Sequence, residues 1–487
     1  MSPVLPAPEL EEFSAFVAGR TGLHFPRERL ADLERAIARA APELGFADAG
    51  TCIRWFLASP PDKERLETLA AHLTVGETYF FRNKADFDAI KNIILPALAA
   101  GKAGDEDVRI WSAGCATGEE PYSIAMLLDK CSPELKGRGM SILATDINTR
   151  ALREAGRGVY GDWSFREVPR HIKEIYFTKT RDNKLALLPR IKKMVDFSSL
   201  NLVEDSYPSL LTATNAMDLI LCRNVLMYFR QDLAEGVLRK FQAALKDGGW
   251  LILTPAEGPL TFPAAVPGLK MAQLPGLTAY RKTAEQQPVY APLFAAEALE
   301  PVLPPPPAAK PRPPSPPAAP EKRPLEEART LYGLGLYPEA AGELETLLAA
   351  EPRNGAGLLL LARVRANQGR LGEAGQLCAK AIETDKLAPL AHYLLGTIFM
   401  EEGRGSEARM SLRKALYLAP DHILALLALG NLFLRGGASA QASRNFKSAA
   451  ALLERHSPEE VLPDSEGMTA GRLVAAARSA LTRCADD

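Results

Sequence analysis

Trp111-Ser-Ala-Gly-Cys-Ala-Thr-Gly-Glu-Glu-Pro-Tyr122 is the stretch on which the reading of this chain turns. It follows the apolar run VRI (108–110) and leads into the helical pattern YSIAMLLDKC (122–131). Gly114 and Gly118 allow a sharp reversal and let backbone N–H groups approach a ligand at the start of a helix. Glu119 and Glu120 fall in the first helical turn, where negative charge is favourable against the helix dipole. Such a turn also occurs for purely structural reasons, so it decides nothing alone.

Working outward, VRIWSAG (108–114), MSILATD (140–146), AMDLILCRN (216–224) and GWLILTPAE (249–257) are short apolar segments, and helical patterns separate the first three. That alternation predicts a doubly wound parallel α/β sheet. Asp146 ends its strand 28 residues after Gly118, placed to accept hydrogen bonds from ribose hydroxyls at the carboxyl edge. Asn224 stands at the carboxyl end of another strand. Three strand-end signals in order point to a nucleoside-containing cofactor. The glycines lack the full G-x-G-x-x-G spacing, which disfavours NAD and favours S-adenosylmethionine.

The alternation breaks between about 157 and 200, where EIYFTKTRDNKLALLPRI (174–191) reads as a hairpin around Asp182-Asn183, inserted as a small antiparallel β-subdomain. Upstream, residues 1–75 read as a helical domain, with ERLADLERAIARA (28–40) carrying apolar residues at helical spacing. The α/β domain is placed at 76–283 and a linker at 284–324. Twelve prolines between 301 and 324 make that linker an extended, semi-rigid spacer.

Beyond it a pattern recurs every 34 residues: Gly335, Gly369, Gly403, Gly437; Ala340, Ala374, Ala408, Ala442; Ala328, Ala362, Gly396, Gly430. Small residues at fixed points let paired helices approach closely, and period and residue types are those of tetratricopeptide repeats. Four repeats are placed at 325–456, with a capping helix and tail at 457–487, forming an all-α solenoid.

Composition adds limits. The net charge of -1 advertises no nucleic-acid partner. Six scattered cysteines without a C-x-x-C pair read as reduced thiols, and no histidine grouping has metal-ligand spacing, so no metal is expected. The first residues lack a signal-peptide pattern, and no apolar run is long enough to insert into a membrane. The expected location is the cytoplasm.

The runs LTVGETYFFR (73–82), WSAGCATGEEPYSIA (111–125), ATDINTRALREA (144–155), VDFSSLNL (195–202) and LCRNVLMYF (221–229) together resemble the CheR-type chemotaxis glutamate methyltransferases, in motif order and over residues 10 to about 282. The resemblance implies a Rossmann-like fold and methyl transfer from S-adenosylmethionine, with S-adenosylhomocysteine as product, to glutamates of a methyl-accepting chemotaxis-type receptor. It also implies that Thr78, Arg82, Glu119, Asp146, Asn201, Leu202, Arg223 and Asn224 line the cofactor pocket. Gly76 departs from the family, whose members often carry asparagine there. A glutamate nucleophile is already ionised at neutral pH, so no general base is needed. Arg82 and Arg223 are the candidates for orienting it, with a structural ion pair as the competing role of each. The short turn Thr180-Arg-Asp-Asn-Lys184 resembles members that work without a receptor pentapeptide tether. The repeats are then expected to recruit a receptor or signalling protein on their concave face. The alternative is a cofactor-binding scaffold with little transferase activity. A small-molecule or RNA methyltransferase would carry an N-P-P-Y type loop where Arg223-Asn224-Val225 stands.

Overall fold

The computed structural model describes residues 5–59, 61–100, 107–130, 140–203, 207–210, 212–257, 266, 268–274, 277–283 and 324–486. The proline-rich spacer therefore lies, apart from Pro324, outside the described residues.

Four helices open the chain: α1 (Ala7–Thr21), α2 (Leu30–Ala40), α3 (Ala49–Ala58) and α4 (Lys63–Leu73). In α2 the buried residues Leu30, Leu33, Ala36, Ile37 and Ala40 recur at three- and four-residue steps, which is why this segment is helical and which face it buries. Asp48 and Asp62 cap α3 and α4 by accepting the N–H groups of Thr51 and Arg65, both at 2.8 Å. Gly22 ends α1 in the left-handed conformation (φ 83°). These helices share a core of Phe13, Leu33, Ile37, Ile53 and Phe56. Two short helices, α5 (Lys84–Ala89) and α6 (Leu95–Ala100), lead to the sheet.

Ten strands follow among the described residues: β1 (Val108–Ala113), β2 (Met140–Asp146), β3 (Val159–Tyr160), β4 (Phe177–Lys179), β5 (Leu185–Leu187), β6 (Val195–Ser199), β7 (Met217–Leu221), β8 (Leu245–Leu253), β9 (Leu269–Leu274) and β10 (Leu277–Lys282). Seven form one sheet in the order β6-β2-β1-β7-β8-β10-β9. β2 and β7 flank β1 in parallel, so the winding reverses beside β1. A crevice opens at the carboxyl ends there, the usual ligand position of open α/β sheets. β7 is buried at every position, as expected of a strand covered on both faces. The crossover helices α7 (Glu119–Asp129) and α8 (Thr149–Arg157) pack on β2 and β6.

β3, β5 and β4 form the small antiparallel sheet of the insertion, with the hairpin turn at Thr180–Lys184 as read. Two features went unread. Val195–Ser199 fell inside the stretch taken as insertion, yet β6 pairs in parallel with β2 in the main sheet. The β9–β10 hairpin adds an antiparallel margin through β10 on β8.

The repeat region contains first helices Pro324–Gly333, Gly355–Asn367, Pro389–Glu401 and Ile423–Arg435, and second helices Tyr337–Ala350, Leu371–Thr384, Gly405–Leu418 and Ser439–Leu453. The second helices begin 34 residues apart, and each interhelical turn places Gly335, Gly369, Gly403 or Gly437 at φ 72–79°. A Cβ at Gly396 would lie 2.7 Å from Leu412 Cγ, and one at Gly430 2.7 Å from Phe446 Cε1; the small-residue sites are points of close helix approach. Successive first helices pack on one another and line the inside of the curve. The helix Ala470–Asp486 closes the stack.

That inner side does not stand free of the sheet. Arg109 of β1 pairs with Glu401, both largely buried. The Tyr337 hydroxyl donates to the Pro208 carbonyl at 3.4 Å, and Ser209 donates to Glu466. Leu210 joins the array's core, and Ala243 packs against Tyr337 and its neighbours. All these sheet-side residues lie at the amino ends of β1, β7 and β8, opposite the crevice. The array thus covers that edge of the sheet.

Candidate cofactor cleft

The β1–α7 turn is held by its own backbone. Gly114 (φ 82°) and Cys115 donate to the Thr145 carbonyl at 2.7 and 3.0 Å. A Cβ at Gly114 would sit 2.3 Å from Val225 Cγ2, and one at Gly118 (φ 91°) 2.8 Å from the Ala155 Cβ. Neither position accepts a side chain, because backbone angle and space both forbid it. Asp146, at the end of β2, accepts the Ala116 N–H with one oxygen and the Asn148 N–H with the other, both at 2.8 Å. Burial raises the pKa of its carboxyl, opposed by these backbone donors.

A second loop, Arg223-Asn224-Val225, faces the turn from the end of β7. Glu257, fully buried beyond β8, accepts the N–H groups of Asn224 (3.1 Å), Val225 (2.6 Å), Leu226 (2.9 Å) and Thr254 (2.9 Å), and the Thr254 hydroxyl (2.5 Å). One carboxylate thus fixes the loop's backbone, including Asn224 in the left-handed region (φ 59°). Beneath it, the Arg223 side chain is 2% exposed and pairs with Asp86 (2.7 Å) and Glu120 (3.0 Å). It also donates to the Arg82 carbonyl at 2.7 Å, which locks the strap carrying Arg82.

The strap, the turn, the two strand ends and the α1–α2 connection enclose a cleft of about 1180 Å³, counted to its open mouth. Thr78, Arg82, Asp146, Asn201, Leu202, Arg223 and Asn224 all line it, as does Gly76. Glu119 does not: it is buried under the turn, accepting from the Thr117 hydroxyl (2.6 Å) and the Ser164 hydroxyl (2.9 Å), and burial raises its pKa. Its neighbour Glu120 reaches the cleft instead. Asn201 lines the wall while donating to the Arg20 carbonyl at 2.7 Å, joining the first helix to the sheet. Arg82 is partly exposed and donates to the Glu77 carbonyl at 2.6 Å, one of five N–H donors a guanidinium carries. Sequence reading did not single out Glu257 or Tyr228, which also lines the cleft. Glu257 had a signal: it ends TPAE, a fourth strand end at the same edge.

Residues 76–261 match the family described as CheR methyltransferase, SAM binding domain, and residues 325–389 match the tetratricopeptide repeat. A chemotaxis protein methyltransferase of Borreliella burgdorferi is 32% identical over 252 residues, covering 51% of this chain and 87% of that protein. The chain belongs to the CheR chemotaxis methyltransferase family. Chemotaxis protein methyltransferase 1 of Pseudomonas aeruginosa is 34% identical over 195 residues, 39% of this chain and 69% of its own length. Chemotaxis protein methyltransferase 1 of Vibrio cholerae is 35% identical over 188 residues, 38% and 66% respectively.

The enzyme is therefore an S-adenosylmethionine-dependent methyltransferase, and the cleft suits that cofactor: glycines where a side chain would block approach, and a carboxylate at the second strand end. Cys115 also lines the cleft, and burial pushes the pKa of its thiol well up, which disfavours the thiolate. Among the described residues no group of three or more His, Cys, Asp or Glu is placed to hold a metal ion, and no helix is long and apolar enough to cross a membrane.

Proposed function

We propose that this CheR-family enzyme methylates glutamate side chains on the cytoplasmic helices of a chemoreceptor, and that its repeats recruit the receptor or a signalling partner. The observation that carries the reading is the division of labour between two arginines. Arg223 is buried and neutralised by Asp86 and Glu120, whereas Arg82 reaches the cleft with donors to spare. Bound in the cleft, S-adenosylmethionine supplies an electrophilic methyl on a positively charged sulfur. Asp146 accepts the ribose hydroxyls; Thr78, Asn201, Leu202 and Asn224 complete the wall. Arg82 grips the substrate carboxylate and aims one oxygen at the methyl, while Arg223 is a positioning residue that holds the Arg82 backbone. The bound donor would supply the methyl and leave as the neutral sulfide, so a carboxylate oxygen brought into line with it would become a neutral ester. No proton moves, so alignment is the whole task.

Incubation with methyl-labelled cofactor and cytoplasmic receptor fragments, followed by mild base, tests this. Volatile methanol is the expected product. Label that stays on the protein means transfer to nitrogen and overturns the glutamate assignment; absence of label with every fragment favours the scaffold alternative.

A further inference from the structure

The inner face of the array is already occupied by a ligand-like piece of the same chain. Between the last repeat and the capping helix, residues 457–469 loop back, closed by an antiparallel bridge between Val461 and Thr469. Asp464 (φ 61°), Glu466 (φ 53°) and Gly467 (φ 83°) take left-handed conformations. Ser465 is fully buried between them, with its hydroxyl oxygen 2.8 Å from the Leu462 carbonyl and 2.7 Å from that of Met468. Leu462 and Met468 anchor in the array's apolar core. The result is a rigid tip that presents two carboxylates two residues apart.

The first helices receive them. Arg363, with a side chain 12% exposed, donates to Asp464 Oδ1 at 2.8 Å. The Tyr332 hydroxyl donates to Glu466 Oε1 at 2.7 Å, and Asn367 Nδ2 supports that hydroxyl at 3.1 Å. The other Glu466 oxygen accepts from Ser209 on the sheet domain. One glutamate thus links the repeats, the loop and the amino edge of the sheet.

We propose that this face is a binding site for an acidic protein segment, and that the Asp464–Ser465–Glu466 tip is an internal occupant that holds it closed. The partner presents two carboxylates on a tight turn, because Arg363 and the Tyr332–Asn367 pair are spaced for that pattern and a buried guanidinium selects a carboxylate. Its binding expels the tip, breaks the Glu466–Ser209 link and loosens the array from the sheet. The cofactor cleft, at the opposite edge, is left as it was. The proposal refines the recruiting role assigned to the repeats but does not depend on which protein is methylated.

The test uses the full chain and a fluorescent peptide of residues 460–469, EVLPDSEGMT, beside the same peptide with Asp464 and Glu466 replaced by Asn and Gln. Substituting Asp464→Asn together with Glu466→Gln weakens the internal tip. The expected result is that this variant binds the acidic peptide at least tenfold more tightly than the native chain. The amidated peptide gains nothing, and adding Arg363→Ala abolishes the gain. A native helical circular-dichroism signal and an unchanged melting transition of the full chain report that the repeats stay folded; should the pair unfold, Glu466→Gln alone gives the same comparison with Asp464 still seated. Equal peptide binding by native and folded variant chains, binding indifferent to peptide charge, or no binding to either overturns the proposal.

Discussion

The two edges of the sheet are built for different work. At the carboxyl edge, the cleft is shaped by residues whose neighbours come from far along the chain: Gly114 against Val225, Asp146 against Ala116, and the 224–226 loop held by Glu257. At the amino edge, a periodic array meets the sheet through side chains that contribute nothing to the cleft, such as Arg109 with Glu401. About 20 Å of strand separates the two, since β1 has six residues. The difference teaches that the cofactor cleft and the docking of the array sit on opposite ends of the same strands. Cofactor affinity is the quantity that exposes the separation, because only the carboxyl edge should move it.

The largest effect is expected at Gly114. Alanine there meets an unfavourable φ and a 2.3 Å approach to Val225, so either the turn or the 223–226 loop must shift. S-adenosylmethionine affinity should fall at least about a hundredfold, roughly 2.7 kcal/mol, by calorimetry on a folded variant. A loss of less than about threefold would mean that the turn does not shape the cleft.

Asp146→Ala should cost about tenfold, in line with one charge-assisted hydrogen bond. The pH dependence has a definite sign. Burial raises the Asp146 pKa above the usual carboxylate value, and only an ionised carboxylate can accept from both hydroxyls of a ribose. Affinity should therefore fall as pH drops through that raised value, earlier than an ordinary aspartate would give. Asp146→Asn should flatten that acid limb of the profile. A native profile that matches the variant's would remove Asp146 from the site.

Legibility follows the same division. The β1–α7 turn could be read because glycine at a forbidden angle leaves a trace in the sequence itself, and the repeats because each period reuses the same small residue at the same close approach. β6 was missed because VDFSS is largely polar and its strand lies at the sheet's margin, where burial does not enforce an apolar run. Arg223 could not be assigned between substrate and structure, since its partner Asp86 stands in α5 with no sequence pattern joining them. Glu119 and Glu120 are adjacent and chemically alike; only the helix start, which turns one under the loop and the other to the cleft, separates them. The docking of the array on the amino edge depends on pairs such as Arg109 and Glu401, invisible to any local rule.

A smaller and opposite change is expected at Gly76. A Cβ there meets nothing within 4 Å, and the residue lines the cleft. Gly76→Asn should fit and add a side-chain hydrogen bond, tightening cofactor binding by a few-fold, about 1 kcal/mol. Unaltered or weaker binding would show that the strap around residue 76 does not reach the cofactor.

At the amino edge the expected change in cofactor affinity is nil, which makes Glu401→Gln the sharpest probe of the separation. Burial and the repulsion of Arg435 pull the Arg109 pKa down to about 10, so its guanidinium still carries its charge at neutral pH and Glu401 answers that charge across the interface. Glutamine leaves a largely buried cation with less compensation, at a cost of up to about 3 kcal/mol to the docked arrangement. The array should then swing away, within the reach of its spacer, and small-angle scattering should record a larger radius of gyration. S-adenosylmethionine affinity should stay within about twofold of native, because the cleft touches none of these residues. A variant that expands and also loses cofactor affinity would show that the β-strands transmit strain from one edge to the other. A variant that does not expand would mean that the Ser209–Glu466 and Tyr337–Pro208 contacts hold the array without the ion pair.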